Sequence, residues 1–252
     1  MAKVKFQPAN AKLAKLAKYL EELWQRKPHI YGFSLPAGHS CPFASECLTK
    51  ADRHTGKLTD GPNTQFRCFM ATIEGFKPSL RQSVWANYDA LRDCRNDAGA
   101  MAALLQAAQP KNADVVRIDV DGDFFNQAYF DAWMIVCRNN PHVEYYAYTK
   151  SLNYWVARLG EIPANLNLNA SYGGRLDHLI RDHNLKSAKV VFHPSEADAL
   201  GLEIDHDETH ALFGDASFAL LLHGQQPKGT KASDALKALK AEDIEYSYTR
   251  AA

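Results

Sequence analysis

The sequence predicts an α/β protein whose parallel sheet forms an incomplete (β/α) barrel of about six strands. Short apolar runs alternate with stretches of helical periodicity through the second half of the chain. Such alternation requires crossover connections, which join parallel strands in a right-handed sense. A length of 252 residues suits one large α/β domain. We therefore expect residues 1–252 to form a single (β/α) domain, with an open doubly wound sheet as the alternative fold.

The first half of the chain supplies a helix, a strand, a long loop and a helical stretch. They are predicted at residues 9–26, 30–35, 36–78 and 79–109. Leucines at helical spacing and the following Pro28 define the first helix. Ser79 suits the N-cap of the last stretch, and Gly99 marks a break within it.

The second half supplies the remaining strands and the helices that connect them. The strands are predicted at residues 115–120, 143–148, 166–170, 189–192 and 218–222. The helices are predicted at residues 127–138, 152–159, 175–183 and 232–239. In such folds the chemistry takes place at the carboxyl ends of the strands. Polar residues are concentrated there: Asp119, Asp121, Asp123, Tyr148, Thr149, Lys150, Asn169, Ser171, His193, His223 and Gln225.

Four of the five cysteines lie within residues 33–94. They are Cys41, Cys47, Cys68 and Cys94, and the first three belong to a loop, 36–78, that is rich in Gly, Pro, Asp and Thr. A loop of this length in a compact domain needs a function or a stabilising ligand. Thiolates clustered on such a loop bind iron–sulfur clusters or structural zinc. We therefore predict that these four cysteines bind a metal cluster.

The cysteine pattern leaves alternatives open, because its spacing matches no common zinc or ferredoxin motif. Zinc would be held by four thiolates, or by three together with His39 or His54. Buried free cysteine also serves as a small apolar residue, and Cys137 fits that role on a packed helix. The carboxylates of Asp119, Asp121 and Asp123 would share one face if the strand continued through them. Capping of the next helix by Asp123 or Asn126 explains the same residues without a ligand.

Composition and charge exclude several classes of protein. The formal net charge is zero and no basic run occurs, which argues against a nucleic-acid footprint. No apolar run reaches membrane-spanning length, and the first residues are not followed by the apolar core of a signal peptide. We therefore expect a protein of the reducing cytoplasm, where clustered thiols bind metal more often than they form disulfides.

Several short motifs resemble those of a mostly phage-encoded family known as gene product eighty-eight. The opening motifs are Ser34–Gly38, Cys41-Pro42, Cys47 and Cys68–Ala71, and the similarity continues through residues 117–124, 148–151 and 217–229. More distantly, the chain is similar to the radical S-adenosylmethionine partial barrels, which carry a cysteine loop after strand one. Asp121-Gly122-Asp123-Phe124 stands where those enzymes carry a Gly-Gly-Glu-Pro stretch. The two resemblances imply a phage protein of the host cytoplasm and a cluster-binding loop.

Three functional hypotheses follow from the residues and the resemblance. The first is a [4Fe–4S] protein with all four irons held by Cys41, Cys47, Cys68 and Cys94, acting in electron transfer or redox sensing with an unknown redox partner. The second is an enzyme in which three cysteines leave one iron open for S-adenosylmethionine. The third is a zinc-stabilised structural protein.

Overall fold

The computed structural model describes residues 3–9 and 13–244. Nine strands are present in these ranges. They are β1 (Gln7–Pro8), β2 (Ile30–Gly32), β3 (Thr49–Ala51), β4 (Leu58–Asp60), β5 (Val115–Ile118), β6 (Glu144–Thr149), β7 (Leu166–Ser171), β8 (Ser187–Val191) and β9 (Phe218–Leu221). Seven of them form one sheet, whereas β3 and β4 pair separately as an antiparallel hairpin.

Ten helices lie in the same described ranges. They are α1 (Ala14–Trp24), α2 (Phe69–Phe76), α3 (Pro78–Arg92), α4 (Ala98–Ala108), α5 (Gln127–Asn139), α6 (Leu152–Val156), α7 (His178–Asp182), α8 (Pro194–Leu200), α9 (Thr209–Phe213) and α10 (Lys231–Ala241). None of these helices combines the length and the hydropathy needed to cross a membrane.

The large sheet is almost entirely parallel, and its strands follow the order β1-β2-β5-β6-β7-β8-β9. Only β1 runs antiparallel, beside β2. The order of the parallel strands follows the chain without a reversal, so the sheet lacks the topological switch point of a doubly wound fold. Each of the six parallel strands overlaps a strand predicted from the sequence. The prediction of a parallel α/β protein is therefore confirmed.

Both faces of the sheet are buried, which explains why its strands are apolar runs rather than alternating patterns. Successive side chains point to opposite faces. Val115 of β5 and Tyr146 of β6 pack with the leucines of α1. Their neighbours Val116 and Tyr145 pack instead with residues of α4 and α5.

The predicted helical stretch after the cysteines is two helices, and the predicted cap and break are wrong. Pro78 occupies the first turn of α3, where its missing N–H costs nothing, so Ser79 lies inside the helix. The helical conformation is then interrupted before α4, whose N-cap is Asp97. The Asp97 carboxylate accepts a hydrogen bond from Ala100 N at 3.0 Å, so Gly99 lies within the first turn rather than at the break.

The segment predicted as a loop, residues 36–78, contains secondary structure. The β3–β4 hairpin lies between Cys47 and Cys68, and α2 begins directly after Cys68. The hairpin strands have three residues each, too short for a periodic pattern to reveal. The short helices α8 and α9 and the edge strand β1 are missed for the same reason.

The Leu20→Ala substitution should lower the free energy of unfolding by about 2–5 kcal/mol, because it leaves a cavity where α1 packs on the sheet. Leu20 is fully buried, whereas Leu23 of the same helix is 56% exposed. Leu23→Ala is therefore the matched control and should change stability by no more than about 0.5 kcal/mol. Urea unfolding monitored by circular dichroism measures both, and equal effects would contradict the packing of α1 against the sheet.

Candidate functional site

Residues 36–78, called the cysteine segment from here on, leave β2 and cross the carboxyl edge of the sheet. Just before the segment, Leu35 N donates to Asp121 O at 2.8 Å, which ties it to the turn after β5. The backbone N–H groups of Ser45 and Glu46 donate to Gly173 O at 3.2 and 2.9 Å, which ties it to the turn after β7. The segment therefore lies over the ends of the strands.

A third attachment joins the cysteine segment to the chain after β9. Arg67 N donates to the Gln226 side-chain oxygen at 2.7 Å, and the Gln226 amide nitrogen donates back to Arg67 O at 3.2 Å. Beside this pair the Phe69 ring packs on His223, with the ring centroids 5.1 Å apart. The sequence pointed to Gln225 at this position, but its neighbour Gln226 makes the contact.

The cysteine segment brings three thiols near one another. Burial raises the pKa of Cys41 well above its usual range, and the neighbouring charges of Asp123, Cys68 and Cys47 raise it further. Burial also raises the pKa of Cys68 to about 12, with Cys47 and Asp121 adding to the effect. These charge effects place Cys41, Cys47 and Cys68 within electrostatic range of one another and of the acidic turn after β5.

Backbone N–H groups point at two of the three sulfurs. Gly38 N donates to the Cys41 sulfur at 3.2 Å. The N–H groups of Ala71 and Met70 in the first turn of α2 lower the pKa of Cys68 and partly offset its burial. Gly38 has a φ of +69°, and a side chain on it would collide with backbone of β3. Glycine at this position lets the chain turn tightly enough to aim the N–H at sulfur.

The structure does not place Cys94 with these thiols. Cys94 follows the end of α3, and its sulfur donates to Ala90 O at 3.5 Å. Burial raises its pKa, with smaller contributions from Asp97 and Asp93 and none from the other cysteines. Cys137 is fully buried in α5 within the main core, as predicted.

No preformed site for a single metal ion is present in residues 3–9 and 13–244. Nowhere in these ranges do three or more His, Cys, Asp or Glu side chains meet in an arrangement that could hold one. The His39 ring nitrogen Nε2 lies 3.0 Å from Ala51 O, and the ring packs on Trp85 with a centroid distance of 4.8 Å. Those contacts give His39 a structural role at the hairpin.

The three aspartates after β5 do not share a face, which corrects the prediction of a continued strand. Strand β5 ends at Ile118, and Asp119 adopts a left-handed φ of +49°, so the side chains diverge. Asp119 accepts a hydrogen bond from the Tyr129 hydroxyl at 2.8 Å. Asp123 accepts hydrogen bonds from the Thr149 hydroxyl at 2.6 Å and from Lys150 N at 2.9 Å. Asp119 and Asp123 therefore have different partners.

Glycine is required in the middle of this turn. Gly122 has a φ of +91°, and a side chain on it would meet the Ser40 hydroxyl and Leu35 at 2.5 and 2.7 Å. The turn therefore packs directly against the start of the cysteine segment. Asn126 caps α5 by accepting from Tyr129 N at 2.8 Å, as the capping hypothesis proposed.

Sequence reasoning missed a buried pair of carboxyl groups, Glu74 and Asp121, near the cysteines. Glu74 is the only charged residue of α2, yet it is fully buried, and its Oε1 accepts a hydrogen bond from Ala37 N at 2.7 Å. Burial raises the pKa of Glu74 to about 7, and burial together with Glu74 raises that of Asp121 well above its usual range. Two neighbouring buried carboxyl groups repel each other when both are ionised, so burial and this repulsion favour their protonated forms.

Two of the polar residues predicted for the site lie in the protein interior instead. The Asn169 side chain donates to backbone oxygens of β6 and of Ala211 at 3.2 and 3.1 Å. The Tyr148 ring lies 5.1 Å from the Arg117 guanidinium, which forms a buried ion pair with Glu208 at 2.7 Å. Both residues lie within their strands rather than beyond the strand ends, which explains the difference.

Lys150 does remain at the strand ends. Its backbone N–H donates to Asp123, and its side-chain ammonium donates to the Ser171 hydroxyl. Lys150 is 8% exposed, so this cation is held within the edge beside the acidic turn.

Comparison with known proteins gives one family and two curated relatives. The family model described as gene product 88 matches residues 3–242. The chain is 29% identical over 125 residues to the gene 88 protein of Mycobacterium phage L5, covering 46% of each. It is 27% identical over 125 residues to the gene 88 protein of Mycobacterium phage D29, covering 46% of this chain and 45% of the relative. The matched segment thus spans about half of each relative. No solved structure matches.

The Glu74→Gln substitution should make the free energy of unfolding less dependent on pH between about 4.5 and 7. Burial raises the pKa of Glu74 from its ordinary 4.5 to about 7, so the unfolded chain loses this proton first as the pH rises. The native protein thereby loses up to about 3 kcal/mol of stability across this window. Glutamine has nearly the same shape and does not titrate, so it removes the part of that loss due to Glu74.

Urea unfolding at pH 5 and pH 8 measures the effect. Glu21→Gln is the matched control, because Glu21 is a solvent-exposed glutamate of α1 and its replacement should leave the pH dependence unchanged. A Glu74→Gln variant that loses as much stability between these pH values as the natural protein would show that burial does not raise the pKa of Glu74.

Proposed function

The chain belongs to the gene product 88 family, and we propose that it is an iron–sulfur protein whose cluster is bound by Cys41, Cys47 and Cys68. The observation that supports the proposal is that one segment, which crosses the carboxyl edge of a parallel sheet, carries three cysteines that influence one another's pKa. That edge is where α/β proteins bind their ligands.

The chemistry of the donor set fits such a cluster. Thiolate is the preferred ligand of iron–sulfur clusters, and hydrogen bonds such as that from Gly38 N to the Cys41 sulfur stabilise reduced states of a cluster. The raised pKa values of Cys41 and Cys68 mean that both are protonated until metal displaces the protons. A tetrahedral zinc ion with bonds of about 2.3 Å needs its sulfurs about 3.8 Å apart. A cluster tolerates wider spacing, because each thiolate binds a different iron.

The position of Cys94 favours three thiolates over four. With three, a [4Fe–4S] cluster keeps one iron without a protein thiolate, and that iron supplies one-electron chemistry to whatever ligand binds it. The buried Lys150, its partner Ser171 and the acidic turn provide polar groups at the same edge. We therefore propose an enzyme that uses S-adenosylmethionine as the second candidate, beside electron transfer to an unknown redox partner. The four-cysteine cluster would need Cys94 to move.

The proposal includes a finer description of the fold, a partial (β/α) barrel of six parallel strands. Its support is the uninterrupted strand order from β2 to β9, which is the order of barrels. The α1 and α9 helices together cover one face of the sheet. We also propose residence in a reducing cytoplasm, that of the host cell if the gene is a phage gene, since free thiols persist there.

Protein purified without oxygen from iron-replete cells should contain iron and acid-labile sulfide in equal amounts, about four of each per chain for a cubane cluster. It should be brown, with a broad thiolate-to-iron charge-transfer absorption at about 400 nm. Elemental analysis and absorption spectroscopy measure both. Stoichiometric zinc without sulfide would overturn the proposal and support the structural zinc hypothesis.

Single cysteine-to-alanine variants identify the ligands. Replacing Cys41, Cys47 or Cys68 should abolish or convert the cluster, whereas Cys94→Ala and the core control Cys137→Ala should keep its spectrum. Loss of the cluster in Cys94→Ala, with the cluster retained in Cys137→Ala, would instead establish the four-cysteine arrangement.

S-adenosylmethionine should change the electron paramagnetic resonance spectrum of the dithionite-reduced cluster if one iron is open. The closely related S-adenosylhomocysteine is a useful comparison. The Cys94→Ala variant is another, because it should respond as the natural protein does. A spectrum that is identical with and without S-adenosylmethionine would rule out the enzyme and leave electron transfer.

A further inference from the structure

A groove of about 470 Å³ lies between the cysteine segment and the helices that follow β8 and β9. The segment contributes Glu46 and Phe66, Phe192 directly follows β8, Glu196 belongs to α8, and α10 contributes Ala235 and Ala238. This volume falls within the range of about 300–1,000 Å³ typical of small-molecule sites. None of the proposed cluster ligands lines the groove, so it constitutes a separate site.

The apolar walls of the groove suit a flat ligand. The Phe66 and Phe192 rings meet edge to face, with centroids 6.2 Å apart and planes at 83°. Opposite them, α10 presents the small side chains of Ala235 and Ala238, which leave room for a planar group. An exposed ring face also attracts a cation, because its π-electrons are negative.

Acidic side chains outnumber basic ones along the groove. Glu46 and Glu196 line it, and among the residues that the structure describes Lys231, at the start of α10, is the only lysine or arginine in the lining. His193 also lines it and binds a third carboxylate, Glu242, at 2.9 Å. The balance of charge therefore favours a cationic ligand over an anionic one.

The backbone around the groove is fixed in place before any ligand binds. Glu46 N donates to Gly173 O at 2.9 Å, and Glu46 O accepts from Gln65 N and Phe66 N at 2.7 and 3.2 Å. Glu196 is held by the hydrogen bond from Phe192 N to its carboxylate at 2.9 Å. A preorganised site loses little conformational entropy on binding.

We propose that this groove binds a small organic cation with a planar apolar portion, of the aromatic amidine or ammonium class. The planar portion lies between the two phenyl rings and α10, and the cationic group lies between Glu46 and Glu196. Glu46 directly precedes Cys47, so an occupant lies beside the cysteine segment. Binding in the groove does not require a cluster, so this inference stands or falls independently of the proposed function.

Benzamidine and benzoate test the proposal, because they have the same shape and opposite charge. Titration of the full chain, followed by calorimetry and by NMR shift mapping, should show that benzamidine binds at the groove and benzoate does not. Glu46→Gln and Glu196→Gln should each weaken benzamidine binding about two- to fivefold, the size expected for one partly exposed ion pair. Iron content is measured separately, so loss of the cluster does not affect the result.

Steric variants on α10 provide the matched controls. Ala235→Leu should fill the groove and abolish benzamidine binding, whereas Ala241→Leu adds the same side chain at an exposed position outside the groove and should leave binding unchanged. Should Ala235→Leu fail to fold, the two glutamine variants still decide the outcome. Equal binding of benzoate, no binding of benzamidine, or binding unaffected by these substitutions would each overturn the proposal.

Discussion

Hydrogen bonds attach the cysteine segment, and Leu35 just before it, to the ends of the strands. These hydrogen bonds determine where the residues of the candidate site lie. Leu35 N donates to Asp121 O, Glu46 N to Gly173 O, and Arg67 pairs with Gln226 in both directions. Closing a segment this long costs conformational entropy, and these contacts offset that cost at three separate points. The thiols consequently lie where β5, β7 and β9 end, although they are distant from those strands in the sequence.

Several carboxyl groups are buried at the carboxyl edge of the sheet, beneath the cysteines. They are stabilised in two different ways. Asp123 is surrounded by donors, namely the Thr149 hydroxyl and the backbone N–H groups of Lys150 and Phe124. Glu74 and Asp121 have fewer donors, and burial raises the pKa of both because it disfavours the charged form. Less negative charge therefore faces the cysteines, which limits the repulsion that thiolates or an anionic cluster would experience there.

One stretch of backbone supports both the thiols and the neighbouring groove. Glu46 precedes Cys47, and Phe66 lies two residues before Cys68. The hydrogen bonds from Gln65 N and Phe66 N to Glu46 O hold the two parts of the segment together. The groove residues Glu46 and Phe66 therefore belong to the same hydrogen-bonded stretch as Cys47 and Cys68.

The sequence by itself determined the parallel α/β class, the six parallel strands, the core role of Cys137 and the presence of a cysteine-bearing segment. These features depend on local periodicity and composition, which are visible along the chain. Only the tertiary structure decided which cysteines lie near one another, because Cys94 follows a helix whose direction local patterns do not fix. The tertiary structure alone brought Glu74 near Asp121 and ended β5 before Asp119. Burial and hydrogen bonding across distant segments override a local pattern such as the alternation of the three aspartates.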